Sequence, residues 1–287
     1  MRVASRRIRS YLPPFEECFP SKKYREWRKE IRNITRALRE ARDADVQIAF
    51  LKIYTEKLKE ESFRPGAERF LLRLRQRRER VQPRVIKALD RLLESGVVED
   101  MEKLCRRMRK GRRRQASVNS PDTYQKALVH ITSRLEEIFA HEASVYIPEN
   151  KEEHHAMRIA VKRLRYTMEV FSPLYEGELE NQLAVCKKLQ DMLGGLHDCD
   201  VWMDYLPQFM EEERAYSIEY FGQDDSYGIL APGLLHLQQH LRERRSAIYE
   251  EFVSYWKDIQ EQNIWNDLKQ FIQLTFDEKC KNQVSMK

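Results

Sequence analysis

Two short stretches of this chain concentrate groups that can hold an anion or carry a proton. One reads His155-x-x-Arg158-x-x-x-Lys162-Arg163-Leu164-Arg165-Tyr166, and the other His197-Asp198-x-Asp200-Val201. At 100° per residue, His155, Arg158, Lys162 and Arg165 form one helical stripe whose step is one turn, about 5.4 Å. Like charges stacked this way repel and weaken a helix. The stripe therefore calls for a counter-charge, either carboxylates of the chain itself or an external anion.

The stripe occurs twice. Met1 to Phe15 and Met157 to Phe171 share Met, Arg, Ala, Arg, Arg and Phe at equivalent positions, with Val3/Ile159, Arg6/Lys162, Ile8/Leu164 and Leu12/Met168 conservative. Arg2, Arg6 and Arg9 fall within about 60° of one another on a helical wheel. Farther along, Arg42-Asp43-Ala44-Asp45-Val46 matches His197-Asp198-Cys199-Asp200-Val201, Leu51 matches Leu206, and Arg32 matches Lys187. Asp43, Asp45, Asp198 and Asp200 are the expected acidic partners of the stripes, too few to neutralise them. Arg7 and Arg163 lie nearer the apolar side of their wheels. They are expected to pair with the repeated Asp residues and fix the packing of two helices.

These residues sit on elements with helical periodicity almost throughout, and alternation of period two is rare. The pattern predicts helices at about 2–18, 21–40, 43–61, 66–94, 97–110, 121–145, 150–172, 177–193, 197–213 and 231–276. Ser120-Pro121 reads as a cap before a first-turn proline, and Asn150 with Glu153 as a capping box. Pro173 and Gly177 bracket a turn. Gly194-Gly195 reads as an interruption, 221–233 as a long loop, and Gln262-Asn263 as a bend or break in the last helix.

Charge is distributed unevenly. Of the 52 basic and 46 acidic residues, the first 120 positions hold 34 and 17, and the rest hold 18 and 29. The net +6 thus hides a strongly basic first half and an acidic second half, and the basic half attracts polyanions by long-range steering. Arg outnumbers Lys, which suits phosphate oxygens. Only 9 Gly and 10 Pro argue against a sandwich or barrel. No segment has the run of about 18 apolar residues that a bilayer span needs, so no membrane association is expected. The Arg-rich start lacks the apolar stretch of a secretory signal. Five cysteines without paired spacing give neither a disulfide framework nor a zinc knuckle, and a reducing, cytoplasmic setting follows.

The combined pattern resembles the CHAD family, the conserved histidine α-helical domain. It rests on the His155–Tyr166 motif, on Leu193-Gly194-x-x-His197-Asp198-x-Asp200-Val201 and on the duplicated Arg-Asp-x-Asp-Val at 42–46. The resemblance implies an all-α fold of two pseudo-two-fold-related, four-helix-bundle-like halves around a basic central groove. It implies binding of inorganic polyphosphate without catalysis, no cofactor, no metal, and an association with polyphosphate granules or a CYTH-type triphosphatase. The first repeat spans 1–110, 111–120 forms a basic linker, and the second repeat spans 121–287. The counterpart of 121–145 and of His155 is missing from the first copy or precedes Met1. Polyphosphate contacts are expected from Arg2, Arg6, Arg7, Arg9, Arg32, Arg36, Arg42, His155, Arg158, Lys162, Arg163, Arg165, Tyr166, Lys187, Lys188 and His197.

Two other chemistries fit parts of the pattern. His154, His155, His197 and Asp198 echo the ligand set of metal phosphohydrolases, but the first copy replaces His197 with Arg42, which cannot ligate a metal. Nucleic-acid binding is permitted by the basic half and by Arg112–Arg114, without any recognised base-reading motif.

Overall fold

The computed structural model describes residues 1–111 and 119–284, with the side chains of Arg2, Lys110 and 282–284 outside that description. The run Arg112–Arg114 therefore lies outside the described residues. Among the latter the chain is helical and without strands: α1 (Arg2–Tyr11), α2 (Ser21–Glu56), α3 (Arg64–Glu94), α4 (Val97–Gly111), α5 (Pro121–Phe139), α6 (Lys151–Phe171), α7 (Glu180–Phe221), α8 (Asp225–Glu261) and α9 (Ile264–Val284). Short 3-10 turns follow α1, α2, α5 and α6.

The apolar stripes pack these helices in antiparallel hairpins. One core joins α5, α6, the first half of α7, the end of α8 and α9, around Ile131, Leu164, Leu189, Phe252 and Trp256. A second joins the end of α2, the start of α3, the later half of α7 and the start of α8, around Leu51, Phe70, Leu206 and Leu237. Each such fully buried large side chain contributes about 1.5–3 kcal/mol. Leu12, Tyr24, Trp27 and Val97 close a smaller core where α1, α2 and α4 meet.

Several boundaries differ from the sequence expectation. α2 runs unbroken through 40–43, and α7 continues through Gly194-Gly195 and Pro207. A helical glycine costs only about 1 kcal/mol relative to Ala, and the packing of α7 against α6 and α8 outweighs it; Gly195 lies directly against Ile248. The expected loop at 221–233 shrinks to a turn at Gly222, in the left-handed conformation, before α8 begins at Asp225. Pro232-Gly233 does not punctuate the chain but packs it. A Cβ on Gly233 would lie 2.0 Å from the Phe63 carbonyl oxygen, one on Gly66 would lie 2.2 Å from the Leu230 carbonyl oxygen, and the two glycines meet at the α3–α8 crossing. Asn150 flanks α6 as expected but makes no side-chain cap bond, and Glu153 bonds the Nδ1 of His141 at 2.6 Å rather than closing a capping box. The turn after Pro173 holds, with Glu176 and Gly177 at positive φ, and so does the break at Asn263 (φ 57°).

The repeat returns as a contact. Asp45 Oδ1 accepts from Arg78 Nε at 2.7 Å, joining α2 to α3, and Asp200 Oδ1 accepts from Arg245 Nε at 2.5 Å, joining α7 to α8. Pro65-Gly66 and Pro232-Gly233 stand at the same spacing from Arg78 and Arg245. The expectation that Arg7 and Arg163 partner these aspartates is corrected. Both are more than half exposed and pair with Glu169 (3.4 Å) and Glu137 (3.2 Å). A hairpin partner reaches the Asp more directly than a residue on the neighbouring stripe helix.

The backbone contact at the crossing sets a signed pair of expectations. Gly66→Ala or Gly233→Ala forces a methyl into backbone and is expected to destabilise the protein by about 3 kcal/mol or more. Gly194→Ala enters open space on a helix and is expected to stabilise it by about 1 kcal/mol. Urea melts of the three variants distinguish these outcomes, and equal midpoints would contradict the crossing geometry.

Candidate functional site

The two stripe helices meet. Tyr11 on α1 donates to Glu169 on α6 at 2.8 Å, and Glu169 also takes Arg165 (3.6 Å) beside its contact with Arg7. This apposition, with α2 and α7 alongside, gathers cations from three helices. Arg158 of α6 and Arg6 of α1 lie within electrostatic reach of each other and of Arg39 and Arg42 of α2, and Lys162 of α6 lies within reach of Arg158 and Arg6. Arg9 and Arg163 add to the field at Lys162.

The cluster is under electrostatic load. Burial, then Arg158, Arg6, Arg9 and Arg163, hold the Lys162 ammonium down to about 8. Burial lowers Arg158 and Arg6 as well, reinforced by the neighbouring guanidinium groups. Three guanidinium Nε atoms, those of Arg42, Arg158 and Arg165, are buried with no hydrogen-bond partner among the described residues. A buried, unpaired donor loses solvation without recompense, and a charge-assisted donor is a strong binder of phosphate-like oxygens.

His155 of α6 and His197 of α7 face each other, with their Nδ1 atoms 3.0 Å apart and ring centroids at 4.1 Å. One ring must donate and the other accept, so at least one is neutral. Burial and the adjacent Arg158 and Arg39 push His197 to about 4, and His155 is lowered by burial, Arg158 and Lys162. His154 turns the opposite way, into the core beside Tyr249 and Phe252, with Nε2 on the Ser144 carbonyl. It thus does not converge with His155 and His197. Among the described residues no group of three or more His, Cys, Asp or Glu is placed to hold a metal ion.

The acidic residues divide. Asp43 pairs with Arg42 (3.3 Å) and reaches Arg39 (4.0 Å), and Asp198 stands exposed within range of Arg158, Arg42 and Arg244. Asp45 and Asp200 serve the hairpins instead. Tyr166 is buried under Arg165, whose guanidinium carbon lies 5.0 Å from the ring centroid. Arg32 and Arg36 stand exposed on preceding turns of α2. Lys187 and Lys188 line a cleft of about 460 Å³ between α7 and α8 with Asp191, Arg244 and Glu251. Sequence reasoning missed Arg39 and Arg244. Arg39 was open to discovery as the residue one turn before Arg42. Arg244 becomes visible only once Pro65-Gly66 is matched to Pro232-Gly233, which places it opposite Arg77.

An all-helical chain with a shared cationic seam and a paired histidine couple defines the class of protein. The CHAD domain family model matches residues 1–207, and the chain belongs to that family. The match ends inside α7, and the rest of α7, α8 and α9 pack into the same cores. Among curated proteins no match is found.

Lys162 and His197 are bases whose charged form the fold disfavours, so the unfolded chain binds their protons more tightly. Stability therefore climbs with pH from about 4 to 6.5 through His197 and from about 8 to 10.5 through Lys162. Lys162→Met is expected to raise the unfolding midpoint at pH 7 and to flatten the climb above pH 8. Denaturation of both forms across pH 6 to 10.5 checks this, and a lower midpoint for the variant would show that the ammonium is not under load.

Proposed function

We propose that this protein binds inorganic polyphosphate, without cleaving it, along a basic groove where α1 and α6 meet. The observation that carries the reading is the concentration of Arg6, Arg39, Arg42, Arg158 and Lys162 around buried guanidinium Nε donors that no acceptor among the described residues satisfies. A polyanion with one charge per phosphate and no bases needs repeated cations and no aromatic platform, and the stripes supply them. Membership of the CHAD family supports the same reading.

The two copies are best understood as halves related by an approximate two-fold axis. The equivalent Asp45–Arg78 and Asp200–Arg245 bonds and the meeting of Gly66 with Gly233 support it. A polyphosphate chain reads alike from either end, so a near-symmetric groove suits it. Lys187 and Lys188 extend the cationic surface on one side, and Arg9 on the other. An anion bound beside the His155–His197 pair raises its affinity for a proton, because it favours the charged imidazole.

The setting that fits is a reducing one, the cytoplasm or the surface of a polyphosphate granule, with a CYTH-type triphosphatase as a candidate partner. No described helix is long and apolar enough to cross a membrane.

The test is a titration of labelled long-chain polyphosphate at several salt concentrations. Tight binding is expected, with log K falling linearly against log salt by counterion release. Arg158→Ala with Lys162→Ala is expected to cost at least tenfold in affinity, with polymer length unchanged on a gel. Unaltered affinity in the double variant would remove the groove from the binding site, and chelator-sensitive shortening would overturn the non-catalytic reading.

A further inference from the structure

Most of the positive charge of the first half is not in the central cluster. α3 alone carries ten basic and four acidic residues. Arg69, Arg73, Arg77, Arg80 and Arg84 fall within about 80° of one another at 100° per residue, a stripe about 22 Å long. Arg77, Arg80 and Arg84 are exposed. The stripe is only partly neutralised. The buried Glu213 of α7 takes both Arg69 (2.6 Å) and Arg73 (2.5 Å), and Arg84 reaches Glu40 at 3.6 Å. Among the described residues neither Arg77 nor Arg80 is ion-paired, although Glu79 lines the same cleft as Arg80.

Arg69 and Arg73 hold the buried Glu213, but helical packing does not require Arg77, Arg80 and Arg84. The equivalent face of α8, counted from the matched Pro-Gly pairs, reads His236, His240, Arg244, Ala247 and Glu251. The repeated architecture is thus built with one arginine there instead of five.

Beside the stripe lie exposed aromatic rings, whereas Tyr166 in the central cluster is buried. The guanidinium of Arg73 sits 5.2 Å from the centroid of Tyr216, and that of Arg77 sits 6.0 Å from Tyr205. Tyr216 and Tyr220 stack on one another at 6.4 Å, and they are 42% and 73% exposed. A surface cleft of about 460 Å³ opens among Arg73, Gln76, Glu79 and Arg80. Guanidinium groups at a regular step with open rings alongside are what a flexible strand of stacked bases requires: phosphates on the cations, bases on the rings. Polyphosphate has no use for the rings.

We propose that the α3 arginine stripe and the Tyr216/Tyr220 platform of α7 form a second anion site, separate from the central cluster, that takes single-stranded nucleic acid. It is tested by fluorescence anisotropy of the full chain with a labelled 20-mer of oligo-uridine and of oligo-thymidine, against a duplex of equal length and against long-chain polyphosphate. Arg77→Gln with Arg80→Gln is expected to weaken the single strands at least tenfold while leaving polyphosphate affinity within twofold. Tyr216→Ala with Tyr220→Ala is expected to weaken single strands several-fold and duplex not at all. The exposed positions of these four residues make misfolding a small concern, and circular dichroism confirms helix content. The proposal is overturned if single strands are lost instead in Arg158→Ala, which assigns them to the central groove. It is also overturned if the α3 variant weakens polyphosphate equally, which makes the stripe a polyphosphate track, or if the tyrosine variant changes nothing, which leaves only generic charge.

Discussion

Everything at the centre of this molecule depends on bringing like charges together against their own repulsion. Burial and mutual repulsion disfavour the charges of Arg6, Arg158 and Lys162, and the carboxylates of Asp43 and Asp198 offset this only in part. The load is carried by apolar packing on the far sides of the same helices, where Leu164, Val161 and Met168 of α6 are fully sealed. The amphipathic wheel of α6 is thus the central compromise: one face contributes hydrophobic stabilisation, and the other draws on it to hold cations in a partly desolvated setting. Preorganised in this way, the cations lose little further freedom when an anion arrives.

The acidic residues show how finely this is divided. Within each Asp-x-Asp pair, the first carboxylate looks toward the cationic seam and the second toward the hairpin. Asp43 and Asp198 moderate the field at Arg42 and Arg158, while Asp45 and Asp200 each lock an arginine of the next helix. Residues two apart on a helix diverge by about 200°, so one short motif serves two different surfaces.

Much of this was legible in the sequence. The duplicated ladder identified α1 and α6 as equivalent helices, and the structure brings the two into contact. The sequence marked His155 and His197 as site residues, and their facing appears only in the structure. What the sequence hid were contacts that depend on distance rather than periodicity. Pro232-Gly233 carries the local chemistry of a turn and instead lies inside a 37-residue helix, because the approach of Phe63 and Gly66 leaves no room for a side chain. Gly194-Gly195 likewise signals a break that tertiary contacts override. The partners of Arg7 and Arg163 were misread because wheel position reports which way a residue points on its own helix, and says nothing of which carboxylate the neighbouring helix offers.

The recurring Asp–Arg bond also bears on how such long hairpins find their alignment. α7 and α8 run 42 and 37 residues, and two amphipathic rods of that length can slide past each other by a turn with much of their greasy contact intact. Asp200 and Arg245, 8% and 12% exposed, break that near-degeneracy: displaced by one turn, each becomes a sequestered lone charge. The bond therefore works as a pawl that permits a single notch, whereas its α2–α3 counterpart, Asp45 with Arg78, lies too open to water to act the same way.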